Sequence, residues 1–306
     1  MPRQIFGPRA WLEYAPFAAF YHVFRRIPLE PAVRYGAAIG GLAAKLDRVN
    51  RPVAMRNLEI AFPRSSSRER LNILTAAYRN WGRAAAEWCH FEQFTAQNIG
   101  RFVVPDGVQN LFRAEELSGG RGILFLSAHF GNFELLILAC SLYGFPITLV
   151  QRPLRNPLIA AQVNRARERA GNATLARRRA GRTVLRLLQE NRMVGLVIDL
   201  DVRRGVFVDF FSLPACTTEA PAKLALTSRA PLVPGFIVRD GAAPRHRIVV
   251  LPPLEIVNEV PRDEAVRLCT QRFTVAFEDM VRRYPDHWNW IHRRWKTRPP
   301  GEPRFY

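Results

Sequence analysis

The feature that most restricts the fold of this chain is the alternation of short apolar runs with helical stretches beyond residue 102. Buried strands are expected at 122–127, 147–150, 193–199, 206–211, 232–238 and 247–251, and helices at 133–143, 158–170, 183–190, 220–228 and 264–283. Strands that alternate with helices of this length indicate parallel pairing. The sequence therefore predicts an α/β fold, with a mainly parallel central sheet flanked by helices.

The charge balance indicates a partner that is anionic. The 306 residues include 45 Lys+Arg and 26 Asp+Glu, a formal net charge of +19, and the only lysines are Lys45, Lys223 and Lys296. Arginine binds phosphate and carboxylate through two parallel hydrogen bonds and stays charged at every physiological pH. A nucleic acid, an acidic protein, a membrane surface and a phosphorylated substrate all fit this excess.

The first 50 residues differ from the rest of the chain. Their uncharged stretches, 14–24 and 35–44, are rich in aromatic residues and alanine and are bordered by arginines. Each stretch is shorter than the roughly 20 residues needed to cross a bilayer. We predict that residues 1–50 form a helical membrane-associating region lying in the headgroup layer, and that residues 51–306 form the α/β domain. The alternative is a pair of ordinary helices packed on the core.

Cysteine placement excludes two classes of small scaffold. Cys89, Cys140, Cys216 and Cys269 are far apart, and no Cys-x-x-Cys pair occurs. A disulfide framework or zinc ribbon is therefore not expected.

The segment most indicative of chemistry lies where the strand at 122–127 gives way to a helix. Ligands of parallel α/β sheets bind beyond the carboxyl ends of the strands, where His129 is placed. Gly131 permits an unusual backbone, and Asn132 is a candidate helix N-cap. If His129 lies in the turn, Glu134 on the first helical turn can accept a hydrogen bond from one ring nitrogen and leave the other as a base. A purely structural histidine is the alternative.

Several ordered motifs resemble one family, the late acyltransferases of lipid A biosynthesis (the lauroyl/myristoyl group), which is related to the glycerol-phosphate acyltransferases. The His129-x4-Glu134 pair is similar to their active-site motif. Further similarities are Arg56-Asn57-Leu58 with Ala61-Phe62-Pro63, Gln151-Arg152-Pro153 with Asn156-Pro157, Asp199-Leu200-Asp201, residues 206–217, and Trp290-x-His292-Arg293-Arg294-Trp295-Lys296. The chain departs from the family pattern at Gln151, Leu200 and Ser212, where the family has Tyr, Gln and Gly.

The resemblance implies a reaction. A fatty acyl chain would move from the thioester of acyl carrier protein, or from acyl-CoA, to a hydroxyl of a phosphorylated, Kdo-bearing lipid A precursor, at the cytoplasmic face of the bacterial inner membrane. His129 would be the general base and Glu134 its orienting partner, with backbone N–H groups near Gly131 and Asn132 holding the oxyanion. The resemblance implies no cofactor and no metal.

Other residues are expected to bind substrate or membrane. Arg152 and Asn156 lie in the motif after a strand end, and Asp199 and Asp201 are expected to pair with arginines or acceptor hydroxyls, since two carboxylates are too few for a dedicated metal site. Residues 151–192 contain 11 arginines, which suit an acidic carrier or an anionic lipid, or form a solvated face. Trp288, Trp290 and Trp295 are expected at an interface or, alternatively, packed against the domain.

Two other functions fit parts of the pattern. The same chemistry on another glycolipid or on a lysophospholipid is one, because the motifs do not define the acceptor. A nucleic-acid-binding protein is the other, although no helix-turn-helix, RNA-recognition or zinc-finger pattern is present, so we expect no nucleic-acid partner.

Overall fold

The computed structural model describes residues 7–306 and begins with four helices. These are α1 (Pro8–Arg26), α2 (Leu29–Leu46), α3 (Arg51–Ala61) and α4 (Ser67–Trp88). Ser66 caps α4 with a capping box: its hydroxyl accepts from the Glu69 N–H, and the Glu69 carboxylate accepts from the Ser66 N–H. No helix within residues 7–306 combines the length and the apolar character that crossing a membrane requires.

Glycines let α2 and α4 approach until their backbones touch. A Cβ on Gly36 would collide with the carbonyl oxygen of Gly82, and one on Gly40 with that of Tyr78. Such close contact between small residues fixes the two helices side by side. The face of α2 turned away from α4 is exposed and apolar.

The centre of the protein is a seven-stranded sheet. Its strands are β1 (Val103–Asp106), β2 (Ile123–Ser127), β3 (Ile147–Gln151), β4 (Ala173–Ala176), β5 (Met193–Val197), β8 (Leu232–Arg239) and β9 (His246–Val250); β6 (Val206–Phe210) and β7 (Leu213–Thr217) form a separate antiparallel hairpin. The spatial order is β1-β9-β8-β2-β5-β3-β4, and only β8 and β9 pair antiparallel. The predicted α/β class with a mainly parallel sheet is confirmed.

Six further helices connect and cover the strands. They are α5 (Gln109–Ser118), α6 (Phe133–Leu142), α7 (Pro157–Arg167), α8 (Gly181–Gln189), α9 (Ala220–Ser228) and α10 (Arg262–Arg283). Helix α6 is buried along most of its length, and its apolar residues pack with those of β2 and β3 in one core cluster.

Strand register places three carboxyl ends at one level of the sheet. Ser127 of β2 pairs with Val197 of β5, and Val150 of β3 pairs with Leu196 of β5. The segments that follow β2, β5 and β3 therefore emerge side by side from the same edge.

The C-terminal tryptophans correct one prediction. Trp288, Trp290 and Trp295 have no exposed surface and pack in a core cluster with Phe210 and Phe277. Their interfacial placement is wrong, and the alternative, packing against the domain, holds. Burying indole rings removes large apolar surfaces from water, which stabilises this part of the core.

Candidate active site

His129 and Asp199 meet at the carboxyl edge of the sheet. His129 lies two residues beyond Ser127 and Asp199 two residues beyond its partner Val197, so the two side chains leave adjacent parallel strands at the same level. Asp199 Oδ1 is 2.8 Å from His129 Nδ1. The structure thus gives His129 a different hydrogen-bond partner from the predicted Glu134, because the register of β2 and β5 brings Asp199 to the ring.

Asp199 is anchored from both oxygens. The indole N–H of Trp288 donates to Oδ2 at 3.0 Å, and the Asp199 side chain is 1% exposed whereas that of His129 is 31% exposed. Burial on its own raises the pKa of Asp199, but His129 and the indole donor outweigh it and hold the pKa at about 2. Asp199 is therefore a carboxylate that can only accept, so Nδ1 of His129 donates, and in the neutral imidazole Nε2 is the basic nitrogen.

The pKa of His129 is raised above its ordinary value. Burial lowers it, but the charge of Asp199 and its hydrogen bond raise it by more. Glu134 raises it further and Arg167 lowers it, while the ring of Phe133 lies edge-on to His129 at 5.2 Å between centroids. The imidazole is thus partly shielded from water, and three charged neighbours shift its pKa.

Glu134 forms an ion pair with Arg167 of α7. Arg167 Nε donates to the two Glu134 oxygens at 2.9 and 3.1 Å, and Arg167 Nη1 donates to the side-chain oxygen of Gln151. Gln151 in turn donates to Asn164 at 2.8 Å, so it ties the end of β3 to α7. Gln151 occupies a position where the family pattern has tyrosine, and here it completes a polar network beside His129.

Gly131 and Asn132 shape the turn rather than face an open cavity. Gly131 has φ of +57°, and a Cβ there would collide with the carbonyl oxygen of Ile237. Its N–H donates to the His287 carbonyl at 2.7 Å, so it is not free to hold the predicted oxyanion. Asn132 is buried; its side-chain oxygen caps α6 at the Leu135 N–H and its amide donates to Glu87 at 2.8 Å.

Glu87 supports this cap from α4. It has no exposed surface, its carboxylate lies 2.6 Å from Arg239, and His246 Nε2 lies 3.4 Å away. Burial raises the pKa of Glu87, but the charges of His246 and Arg239 outweigh it and lower the pKa to about 2. These contacts give Glu87 a structural role beneath the turn that carries His129.

Of the other predicted binding residues, Asn156 and Asp201 are held by contacts within the protein, whereas Arg152 is exposed. Asn156 caps α7 and donates to the Ala10 carbonyl and to Glu13, so it docks α1 on the domain. Asp201 accepts from the N–H and hydroxyl of Thr297 rather than pairing with an arginine. Arg152 is exposed directly after β3, open to an anionic ligand.

Exposed arginines gather at the same edge of the sheet. They follow the carboxyl ends of β3, β4 and β5, three strands that run parallel, and they are Arg152, Arg155, Arg177, Arg178, Arg179, Arg203 and Arg204. Within residues 7–306 none of these seven lies within ion-pair distance of a carboxylate. We call this set the arginine loops; they lie along this edge on the β5 side of His129 and carry positive charge that no carboxylate of the described residues pairs with.

Metal ligands do not converge in the described part of the chain. No group of three or more His, Cys, Asp and Glu side chains in residues 7–306 is arranged to hold an ion. The other ring nitrogen of His129, Nε2, is a group that can accept a proton here.

Comparison with known proteins identifies the family. The model of the bacterial lipid A biosynthesis acyltransferase family matches residues 3–297. The chain belongs to this family. It is accordingly an acyltransferase of lipid A biosynthesis.

Named relatives of this acyltransferase span nearly its whole length. It is 27% identical over 307 residues to the lipid A biosynthesis palmitoleoyltransferase of Escherichia coli K12, covering 99% of this chain and 97% of the relative. It is 28% identical to the lauroyltransferase of the same organism, covering 98% and 96%, and 25% identical to the myristoyltransferase, covering 88% and 82%. These relatives differ in the acyl chain that their names specify.

Sequence reasoning misses two residues of the candidate site. The sequence shows Arg167 only as one of the 11 arginines of 151–192, and Trp288 only as an interfacial or packing residue. Spacing along the chain carries no signal for either, since Arg167 is 33 residues from Glu134 and Trp288 is 89 residues from Asp199.

Proposed function

We propose that this chain transfers a fatty acyl group from the thioester of acyl carrier protein to a hydroxyl of a phosphorylated, Kdo-bearing lipid A precursor. The observation that carries the proposal is the His129–Asp199 pair, which leaves one ring nitrogen free at the ligand-binding edge of an acyltransferase fold. Acyl-CoA is the alternative donor. The partly exposed imidazole is the group that reaches the substrates.

In the proposed reaction, His129 Nε2 removes the proton of the acceptor hydroxyl. The hydroxyl oxygen bonds to the thioester carbonyl carbon, and the carbon–sulfur bond breaks as the tetrahedral intermediate collapses. The proton on Nε2 passes to the departing sulfur, which leaves as the carrier thiol. Asp199 holds the tautomer and stabilises the imidazolium formed in between.

Two further groups are assigned roles in the same proposal. The first-turn N–H groups of α6 at Phe133 and Glu134 have no acceptor within the helix, so they replace Gly131 as the proposed oxyanion donors. Glu134 becomes a positioning residue: with Arg167 it forms one wall of the site and balances the charge beside His129. A carboxylate already satisfied by an arginine is a poor proton acceptor, which supports this change of role.

The arginine loops supply recognition in this proposal. An acyl carrier protein is acidic and the acceptor carries phosphates, and both must bring a reacting group to His129. Seven exposed guanidinium groups at this edge attract such anions from a distance and bind them bidentately on contact. Arg152, next to the end of β3, is proposed to contact the acceptor phosphate.

Helices α1 and α2 are proposed to lie on the anionic cytoplasmic face of the inner membrane. Tyr35, Ile39, Leu42 and Leu46 are each at least 50% exposed and recur every three or four residues, which places them on one face of α2. Arg34, Lys45 and Arg48 border this face and are exposed. An exposed apolar stripe with cationic margins is the pattern of a helix in the headgroup layer.

Mass spectrometry of lipids tests the proposed function. Cells that lack the gene should accumulate a lipid A precursor short of one acyl chain, and wild-type protein should restore the chain. The His129→Ala variant, expressed in the membrane fraction at wild-type level, should not restore it. An unchanged lipid A profile in the deletion strain together with altered phospholipids would instead indicate the lysophospholipid alternative.

A further inference from the structure

A cleft lies between α1, α7 and the end of α4, apart from the His129 edge. Its volume is about 820 Å³, within the range of ligand-binding cavities. Tyr14 and Tyr21 of α1 line one side, and Trp88 and Phe91 form the floor. The rings of Tyr21 and Trp88 are 5.5 Å apart, so the cleft has a continuous aromatic surface.

Cations border this aromatic surface. Arg25, Arg165 and Arg169 line the cleft together with one carboxylate, Glu92. Arg25 pairs with Glu92, whereas Arg165 and Arg169 have no carboxylate within ion-pair distance among residues 7–306. An apolar floor with surplus guanidinium groups at its margin suits a ligand that is apolar at one end and anionic at the other.

Helix α7 separates the cleft from the candidate active site. Leu158, Gln162 and Arg165 face the cleft, whereas Asn164 and Arg167 bind Gln151 and Glu134 on the other side. At about 100° per residue, Arg167 is turned by roughly 160° from Arg165, so the two sets occupy opposite faces of one helix. A ligand in the cleft therefore braces the helix that holds the Glu134 ion pair.

The position of α1 favours a lipid as that ligand. The hydroxyl of Tyr14 donates to Gln162 at 3.0 Å across the cleft, and Asn156 fastens the start of α1 to α7. The outer surface of α1 exposes Trp11, Leu12 and Val23. The cleft thus lies against a helix that also exposes large apolar side chains, which favours a membrane lipid over a soluble anion as its ligand.

We infer that this cleft binds one phosphorylated lipid, with a hydrocarbon chain on the Trp88–Phe91 floor and the phosphate at Arg165 and Arg169. Both the phosphorylated acceptor and a bilayer phospholipid have this chemistry. The inference goes beyond the proposed reaction, because binding in the cleft requires neither the donor nor His129.

Native mass spectrometry of the full chain released from detergent micelles tests this inference. The probes are phosphatidylglycerol, the bisphosphorylated lipid A precursor, and diacylglycerol with the same chains but no phosphate. We expect one tightly held molecule of a phosphorylated lipid per protein, retained about tenfold better than diacylglycerol, because charged hydrogen bonds hold the phosphate. Ala161→Trp, which fills the cleft from α7, should abolish this adduct.

Matched variants keep the result interpretable. Ala85→Trp places the same bulk on an exposed position of α4 that does not line the cleft, and it should bind as wild type does. Arg165→Gln removes one of the two proposed phosphate ligands and should reduce the preference for phosphate without removing diacylglycerol binding. His129→Ala should bind lipid normally even when acyl transfer fails, which separates this inference from the proposed reaction.

Retention of phosphatidylglycerol alone would identify the ligand as a bilayer lipid, and retention of the precursor alone would identify it as the acceptor. Retention of both, with each displacing the other, would support a site for phosphorylated lipids in general. Equal adducts on wild type and Ala161→Trp would overturn the inference. So would an equal affinity for phosphatidylglycerol and diacylglycerol that Arg165→Gln leaves unchanged.

Discussion

Asp199 Oδ1 lies 2.8 Å from His129 Nδ1, and the two residues leave adjacent parallel strands two positions beyond a register pair. The alignment follows from backbone pairing between β2 and β5, and the indole of Trp288 fixes the other carboxylate oxygen. An acid–histidine pair built on strand ends is more rigid than one built across a helical turn, because the sheet hydrogen bonds set both positions.

Asp199→Asn should lower the maximal rate of acyl transfer by about 10²- to 10⁴-fold, because the tautomer of His129 is no longer fixed. Since the Asp199 charge raises the pKa of His129, its removal should lower that pKa and move the acid limb of kcat/KM to lower pH. A pH–rate profile checks both effects. A large rate loss with an unshifted limb would show that Asp199 acts only on structure.

Glu134→Gln and Arg167→Gln should shift the same acid limb in opposite directions. Glu134 raises the pKa of His129 and Arg167 lowers it, so the first variant moves the limb to lower pH and the second to higher pH. The double variant should return the limb towards its wild-type position while the rate stays reduced. Shifts in the same direction would contradict the electrostatic role assigned to this pair.

Trp288→Phe should lower kcat by about tenfold without loss of membrane binding, because the hydrogen bond from the indole to Asp199 Oδ2 is lost. The expected rise in the pKa of Asp199 weakens its hold on His129. Trp295→Phe is the control: it makes a similar change in the same aromatic cluster without touching Asp199. Equal rate losses in the two variants would point to packing rather than to the indole donor.

Glu87→Gln should destabilise the protein by about 3–5 kcal/mol at pH 7, since Arg239 would remain buried without its carboxylate. The folded pKa of Glu87 is about 2, below its ordinary value of 4.5. Its contribution is therefore full above about pH 4.5 and is lost as the pH falls towards 2. Urea unfolding across this range should show a flatter acid dependence for the variant than for wild type.

Ile39→Glu with Leu42→Glu should greatly reduce binding to vesicles that contain anionic lipid, because two carboxylates would have to enter the acyl boundary. Flotation on vesicles with and without phosphatidylglycerol measures this. Leu117→Glu changes an equally exposed leucine on α5 and should float like wild type. Equal flotation of all three proteins would exclude α2 as the contact surface.

The sequence predicts His129 as a site residue because the signal is local: an apolar strand, a turn glycine and a capping asparagine follow one another. The sequence also predicts Asp199 as a site residue, but not its contact with His129. Periodicity identifies strands and does not give their order in the sheet, so it cannot show that β5 lies beside β2. Glu134 was assigned to His129 by proximity along the chain. Its actual partner, Arg167, reaches it across a tertiary contact from α7.

The sequence does not predict the two short edge strands or the burial of the C-terminal tryptophans. The strands at Val103–Asp106 and Ala173–Ala176 have four residues each, and neither contains an apolar run that periodicity can detect. The run at 206–211 was expected among the strands of the domain, yet it pairs only with β7 in a separate hairpin. Tryptophans are common both in protein cores and at membrane interfaces, so sequence composition does not show where Trp288, Trp290 and Trp295 lie. Their packing against Phe210 and Phe277 shows that they belong to the core.

Helix α4 contacts both the glycine-containing face of α2 and the turn that carries His129. Gly82 holds α2 through backbone contact, and Glu87, five residues later, holds the Asn132 cap. Five helical residues span about 7.5 Å, and this short rigid span offers no hinge. On the proposed orientation, His129 is therefore held at a fixed distance from the membrane-facing side of α2. A longer α4 span between Gly82 and Glu87 would increase that distance.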